Sequence, residues 1–128
     1  LNLIKPGNNY GWPLAAYGIE YSGDAIAGAV TAVDGTIQPV YYWDPVIAPG
    51  GMTFYQGEMF PEWNGNVLIG GLGGKHLVRL VLENDKVVGE QRLLLGLGER
   101  IRDVAVARDG AVWVITDEDD GKLVRLSR

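Results

Sequence analysis

Two stretches of this chain repeat one another. Gly65-Asn66-Val67-Leu68-Ile69-Gly70 leads to Gly74-Lys75-His76-Leu77-Val78-Arg79-Leu80, and Gly110-Ala111-Val112-Trp113-Val114-Ile115 leads to Gly121-Lys122-Leu123-Val124-Arg125-Leu126. The Leu-Val-Arg-Leu copies begin at 77 and 123, 46 residues apart; the leading glycines, 65 and 110, are 45 apart. Each copy is an apolar run, a turn through Gly-Lys and a second apolar run. A unit of roughly 40–50 residues built from short strands is the signature of a β-propeller blade. The plainer alternative is two β-hairpins that share a composition.

The remaining sequence also reads as strands. Helical periodicity is almost absent, and the apolar segments are short and bounded by Gly, Asn, Asp or Pro. Strands are expected near Pro39–Trp43, Met52–Tyr55, Asn66–Gly70, Leu77–Leu82, Val87–Leu95, Ile101–Ala107, Ala111–Thr116 and Leu123–Leu126. Asn64-Gly65, Gly73-Gly74, Asn84-Asp85 and Asp109-Gly110 supply the turns. Residues 1–36 are loop-rich. The expected class is therefore all-β: propeller blades of four-stranded antiparallel sheets. Residues 1–128 form a single segment, with a loop-rich partial blade over 1–50, a blade over 51–100 and a partial or closing blade over 101–128. That is two to three blades, whereas closed propellers have about four to eight. An open arc exposes strand edges and an apolar blade face. The chain is thus expected either to be part of a longer propeller or to complete a ring as a homo-oligomer.

Charge and composition narrow the function. The net charge is -5, from 11 basic and 16 acidic residues, so nucleic acid is a poor partner. No apolar run approaches the ~18 residues of a membrane span. There are no cysteines, which excludes disulfides, thiolate metal sites and cysteine nucleophiles. The chain opens on Leu1 without a visible signal peptide, so its start is expected to lie upstream.

Arg100 and Arg102 flank Ile101 in an expected strand. Residues two apart point to the same side, so the spacing aims two guanidiniums at one place and turns Ile101 away. Guanidinium forks match carboxylates and stay charged at any working pH. Two readings follow from the residues: a seat for a small polyanion, or pairing with a nearby acid such as Asp103 or Glu99.

Several longer blocks carry a family resemblance. They are Asn9-Tyr10-Gly11-Trp12-Pro13, Tyr17-Gly18-Ile19-Glu20-Tyr21-Ser22-Gly23, Gln38-Pro39-Val40-Tyr41-Tyr42-Trp43, Ile47-Ala48-Pro49-Gly50-Gly51-Met52-Thr53-Phe54-Tyr55, Glu99-Arg100-Ile101-Arg102-Asp103-Val104 and Ile115-Thr116-Asp117-Glu118. In order and spacing the chain resembles the C-terminal third of the soluble PQQ-dependent aldose sugar dehydrogenases, the glucose/sorbosone dehydrogenase family. The resemblance implies a six-bladed propeller with a quinone cofactor, PQQ, and calcium at one mouth of its axis. It also implies oxidation of an aldose sugar at C1 to the lactone, an external electron acceptor, and a periplasmic or secreted location.

Carried over residue by residue, the resemblance places Arg100, Ile101 and Arg102 on PQQ, a planar quinone with three carboxylates. It sets Gly71, Leu72 and Gly73 at the cofactor's edge and Tyr21 in contact with it. Tyr10 would give calcium a backbone carbonyl, which suits an oxygen-seeking ion. For Tyr21 the other reading is packing beside Trp12 or Tyr17. For the glycine segment it is a flexible turn.

The sequence departs from the family at four points. Gly73 replaces a residue that is often basic. Both serines of Pro-Ser-Ile-Ala-Pro-Ser-Gly are missing from Pro45-Val46-Ile47-Ala48-Pro49-Gly50-Gly51. The acidic calcium ligand would fall before Leu1. The family's histidine base lies in its N-terminal half, while the one histidine here, His76, stands in another motif and is expected to face solvent in a turn. No catalytic residue is therefore assigned, and the isolated chain is expected to be inactive. Asp117-Glu118-Asp119-Asp120 lacks EF-hand spacing and reads as a solvated turn. Trp43, Trp63 and Trp113 read as blade packing. The alternative function is a non-catalytic homo-oligomeric propeller module used for binding or scaffolding; a lectin-like propeller would rest on aromatic residues alone.

Overall fold

A computed structural model describes residues 1–26 and 28–128, which form two compact units, Leu1–Val46 and Ile47–Arg128. The second unit holds seven strands: β1 (Pro49–Phe54), β2 (Val67–Gly71), β3 (His76–Glu83), β4 (Lys86–Leu93), β5 (Ile101–Val106), β6 (Val112–Thr116) and β7 (Leu123–Leu126). They make two antiparallel meanders, one ordered β1-β2-β3-β4 and one ordered β5-β6-β7. The class is all-β, and the first sheet has the four strands of a propeller blade.

The repeat lands on equivalent hairpins. Its first copy becomes β2–β3 and its second β6–β7. Each repeated arginine reaches back to the turn that opens its hairpin: Arg79 donates to Asn66 and lies over Trp63, and Arg125 donates to Asp109 and lies over Trp113. Between β3 and β4, Glu83 pairs with Lys86, leaving a two-residue loop in which Asn84 and Asp85 both have positive φ. Only a turn twisted with the strands fits so short a loop, and Asn and Asp tolerate that backbone best after Gly.

The core lies between the two sheets. Tyr55, Phe60, Trp63, Leu68, Leu77, Ile101, Val104, Val112 and Val114 pack into one cluster. Phe60 stacks on Trp63 at a centroid distance of 4.2 Å, and Tyr55 meets both edge-on. The Tyr55 hydroxyl donates to the Gly110 carbonyl at 2.8 Å and accepts from the Phe60 N–H at 3.0 Å. It ties the end of the first sheet to the β5–β6 turn of the second. On the outer face of the second sheet, Ile115 and Leu123 stay exposed around a hollow of about 110 Å³.

Glycines let the sheets approach. A Cβ at Gly70 would fall 2.7 Å from the Ile101 carbonyl oxygen, and one at Gly50 would fall 2.4 Å from that of Arg102. Both distances are below any real Cβ contact, so β5 runs where side chains on β1 and β2 would stand.

The first unit is irregular. Its described ladder contacts are the isolated bridges Ala15–Val30 and Ile19–Ala25. The strand expected over 39–43 is not formed, so Trp43 is not a strand residue. These aromatic residues instead pair with each other. Tyr42 stacks on Tyr17 at 3.9 Å, and Tyr41 meets Trp43 edge-on. A short apolar run bounded by polar residues is compatible with a strand, but it does not supply a neighbouring strand to bond with.

Candidate functional site

At one end of the second unit β1 starts, β2 ends and β3 and β5 start. The turn Gly71-Leu72-Gly73-Gly74 joins β2 to β3 there. It is held by the backbone alone: the Leu72 N–H donates to the Ala48 carbonyl, and the N–H groups of Gly73 and Gly74 both donate to the Ile47 carbonyl. Gly71 lies between Pro49 on β1 and His76 on β3. Where Gly73 lacks a side chain, an added Cβ would meet the Ala48 methyl at 3.3 Å, a tight contact.

Arg100 and Arg102 stand at the same end, at the start of β5. Ile101 between them is fully buried in the core, while both guanidiniums are partly exposed. The alternation expected of a strand is thus present, and the two side chains do converge. They converge on Asp117. Its Oδ2 accepts from Arg100 Nε at 3.1 Å, Arg100 Nη2 at 3.0 Å and Arg102 Nη2 at 2.9 Å. The backbone is clamped as well, because the Asp117 N–H donates to the Arg100 carbonyl and the Arg100 N–H donates to Glu118. The ladder slips by one residue between Ile101 and Asp103, so a bulge at Arg102 helps turn its side chain to the same acid.

Hydrogen bonding from Arg100 holds the Asp117 carboxyl below its ordinary pKa, against the opposing effect of desolvation, and the charges of Arg102 and Arg100 add to the lowering. Asp117 offsets one of the two guanidinium charges, and Glu118, which accepts from the Arg100 N–H, adds a second carboxylate nearby. Three of the roughly ten N–H groups on the pair are used. Both guanidiniums are partly exposed, and a planar carboxylate is the group their forked geometry suits.

The acids expected to pair with the arginines do otherwise. Glu99 takes Lys122, whose hydrogen bond lowers the Glu99 pKa while Glu99 raises that of Lys122. The Asp103 carboxylate accepts from the Val104 N–H. The acidic run is therefore more than a solvated turn, since its first member ends β6 in a double ion pair. The sequence suggests a structural role for Asp117 at the end of a strand but does not pair it with the arginines, although a signal was present. Counting pairs outward from the Asp109-Gly110 turn, through Val106–Val112 and Val104–Val114, brings 117 opposite 100 once the bulge is allowed for.

His76 also differs from expectation. It does not face solvent: it opens β3, is buried, and its Nδ1 sits 2.5 Å from the Gly74 carbonyl oxygen. That acceptor fixes the proton on Nδ1. Nε2 has no hydrogen-bond partner. A Cβ at Gly74 would fall 2.4 Å from the ring, so the turn's last glycine is required for the ring to fit.

Two expected residues lie in the first unit. The Tyr10 side chain serves the loop, accepting from the Lys5 N–H at 2.6 Å and donating to the Leu3 carbonyl at 2.8 Å. Tyr10 also borders a groove of about 220 Å³ with Trp12, Tyr17, Thr31 and Gln38. Tyr21 is fully exposed in a turn, so it does not pack beside Trp12 or Tyr17. Among the described residues no group of three or more His, Cys, Asp or Glu is placed to hold a metal ion, and no helix is long and apolar enough to cross a membrane.

Comparison with known proteins gives these features a context. The sequence model of the family described as Glucose / Sorbosone dehydrogenase matches residues 1–125. The aldose sugar dehydrogenase YliI of Escherichia coli (strain K12) is 44% identical over 128 residues, covering 99% of this chain and 34% of its own. A crystal structure of a glucose dehydrogenase superposes with a TM-score of 0.92 at 51% identity, covering 99% of this chain and 37% of that one. The PQQ-bound form of an aldose sugar dehydrogenase from Streptomyces coelicolor superposes with a TM-score of 0.71 at 29% identity, covering 98% of this chain and 35% of that one. The chain spans about a third of the length of the relatives it matches.

Proposed function

Because the chain belongs to the glucose/sorbosone dehydrogenase family, we propose that it is the part of an aldose sugar dehydrogenase that holds the carboxylate edge of PQQ. The observation that carries this reading is the convergence of Arg100 and Arg102 on one acid at the end of β5 that starts where β2 ends, with N–H donors to spare. Arg100 and Arg102 bind the carboxylates, Ile101 anchors them from the core, and the backbone of Gly71, Leu72 and Gly73 lines the edge with little side-chain bulk. Tyr21 would contact the quinone, as the family resemblance implies. Tyr10 would lend a backbone carbonyl to calcium, as the family resemblance implies. When bound, PQQ supplies a two-electron acceptor for the hydride of an aldose C1–H, yielding the lactone, and an external acceptor reoxidises it. What these residues do is bind, orient and neutralise charge. No residue here is assigned to take the sugar hydroxyl proton, and the one histidine is buried. The sugar, its acceptor and a periplasmic location follow from this reading.

The test is an absorbance titration with PQQ in calcium-containing buffer. The chain is expected to shift the quinone spectrum saturably. Arg100→Ala and Arg102→Ala each remove a charge-assisted contact, about 1.5–3 kcal/mol, and weaken binding roughly ten- to a hundredfold. An unchanged spectrum with the parent chain removes the cofactor assignment. The loaded chain is expected to give no sugar-dependent dye reduction, and turnover would show that a base has been overlooked.

A second reading, a non-catalytic module, is favoured by the missing side chain at Gly73 and by the exposed apolar face of the second sheet at Ile115 and Leu123. Light scattering that finds a defined oligomer, together with a flat PQQ titration, selects it over the first.

A further inference from the structure

We propose that Asp117 determines what the arginine pair selects, by holding the two guanidiniums in place and halving their net charge. This rests on the reading of Arg100 and Arg102 as the seat of a carboxylate-bearing ligand. Two guanidiniums on one strand repel each other, and both side chains are long and partly exposed. Left alone they would splay into solvent. Here a single oxygen, Asp117 Oδ2, takes three of their N–H groups, and the Asp117 backbone N–H fixes the acid to the Arg100 carbonyl. The acid is therefore set by the ladder of β5 and β6 and not by its own rotamer alone. The unused N–H groups are left with defined directions.

That arrangement favours shape over charge. A rigid planar ligand whose carboxylates are fixed in space gains from guanidiniums that are already ordered, because less side-chain freedom is lost on binding. A compact flexible polyanion such as inorganic pyrophosphate gains little from order and is attracted mainly by net charge. Removing the Asp117 charge makes the cluster one unit more positive.

Two substitutions separate geometry from charge. Asp117→Asn removes the charge and loosens the pair. It is expected to tighten pyrophosphate, weaken PQQ, and lower the ratio of PQQ to pyrophosphate affinity about tenfold, the scale of one charge-assisted hydrogen bond. Asp117→Glu keeps the charge and moves the carboxylate out by one carbon. It is expected to weaken PQQ alone. Equal effects of Asp117→Asn on both ligands, in either direction, overturn the proposal, as does an Asp117→Glu chain that binds both as the parent does. Should Asp117→Asn fail to fold, Asp117→Glu decides by itself. A parent chain that leaves the PQQ spectrum unchanged sinks the cofactor reading, and Asp117 is then judged by a double-mutant cycle on thermal stability. The penalty of Asp117→Asn should shrink markedly in an Arg100→Gln background, where two of the three hydrogen bonds to its carboxylate are already lost, and an undiminished penalty overturns the holding role.

Discussion

The packing under the arginines can be tested by shortening Ile101. This side chain is fully buried in the cluster shared by the two sheets, its carbonyl lies against Gly70, and its neighbours are Arg100 and Arg102. Ile101→Val removes one carbon and Ile101→Ala removes three. At about 0.8 kcal/mol per buried carbon, transfer alone gives about 0.8 and about 2.4 kcal/mol. The cavity left by Ala adds about another 1–1.5 kcal/mol, because Gly70 and β5 are already in close backbone contact and leave little room to collapse. The expected losses are thus about 1 kcal/mol for Val and 3–4 kcal/mol for Ala, a ratio near three to one. Urea unfolding followed by circular dichroism measures both, provided the slope of each transition matches the parent's. Binding supplies the second readout. Relaxation of β5 after Ile101→Ala should also displace the arginine backbone and weaken PQQ, whereas Ile101→Val should leave it nearly unchanged. An Ile101→Ala chain that loses less than about 1 kcal/mol would show that the sheets are not packed through this residue.

Two further outcomes follow from the geometry. Tyr55→Phe keeps the ring but strands a buried carbonyl at Gly110 and a buried N–H at Phe60, so a loss of about 2–4 kcal/mol is expected in the same unfolding assay; a change under about 0.5 kcal/mol would mean neither group depended on the hydroxyl. Asp117, Asp109 and Glu99 have lowered pKa values, so their contribution is complete above the ordinary carboxylate range and is lost as pH falls through the lowered values; that of Lys122 is complete below its ordinary value and is lost as pH rises through the raised one. The thermal midpoint should therefore drop below about pH 4 and again above about pH 10.5. Lys122→Met should flatten the alkaline limb, and an unaltered limb refutes the assignment.

The site was legible in the sequence to the extent that it is local. Arg-Ile-Arg in a strand must put two guanidiniums on one side and the isoleucine on the other, and the structure does so. The partner acid was not local. Asp103 and Glu99 are nearer in sequence, yet Asp103 bonds to the next backbone N–H and Glu99 is taken by Lys122. Asp117 comes from the neighbouring strand, and its place depends on the hairpin register and one bulge. His76 was misplaced for a related reason. Its Gly-Lys-His context signals a turn, but the turn closes one residue earlier, and the ring folds back onto Gly74 inside the sheet.

The sequence by itself determined the strands, the turn chemistry and the blade period, because alternation, backbone sterics and repeated hairpins act over a few residues at a time. The aromatic segment at 39–43 marks the limit of that determination: it is a short apolar run like the strands, but among the described residues it forms no strand and packs ring on ring. Only the tertiary structure decided which carboxylate the arginines meet, which glycines had to lack a side chain and that the one histidine is buried. Each of those outcomes depends on where a distant backbone passes, and that position is set by sheet register and close packing rather than by residue type.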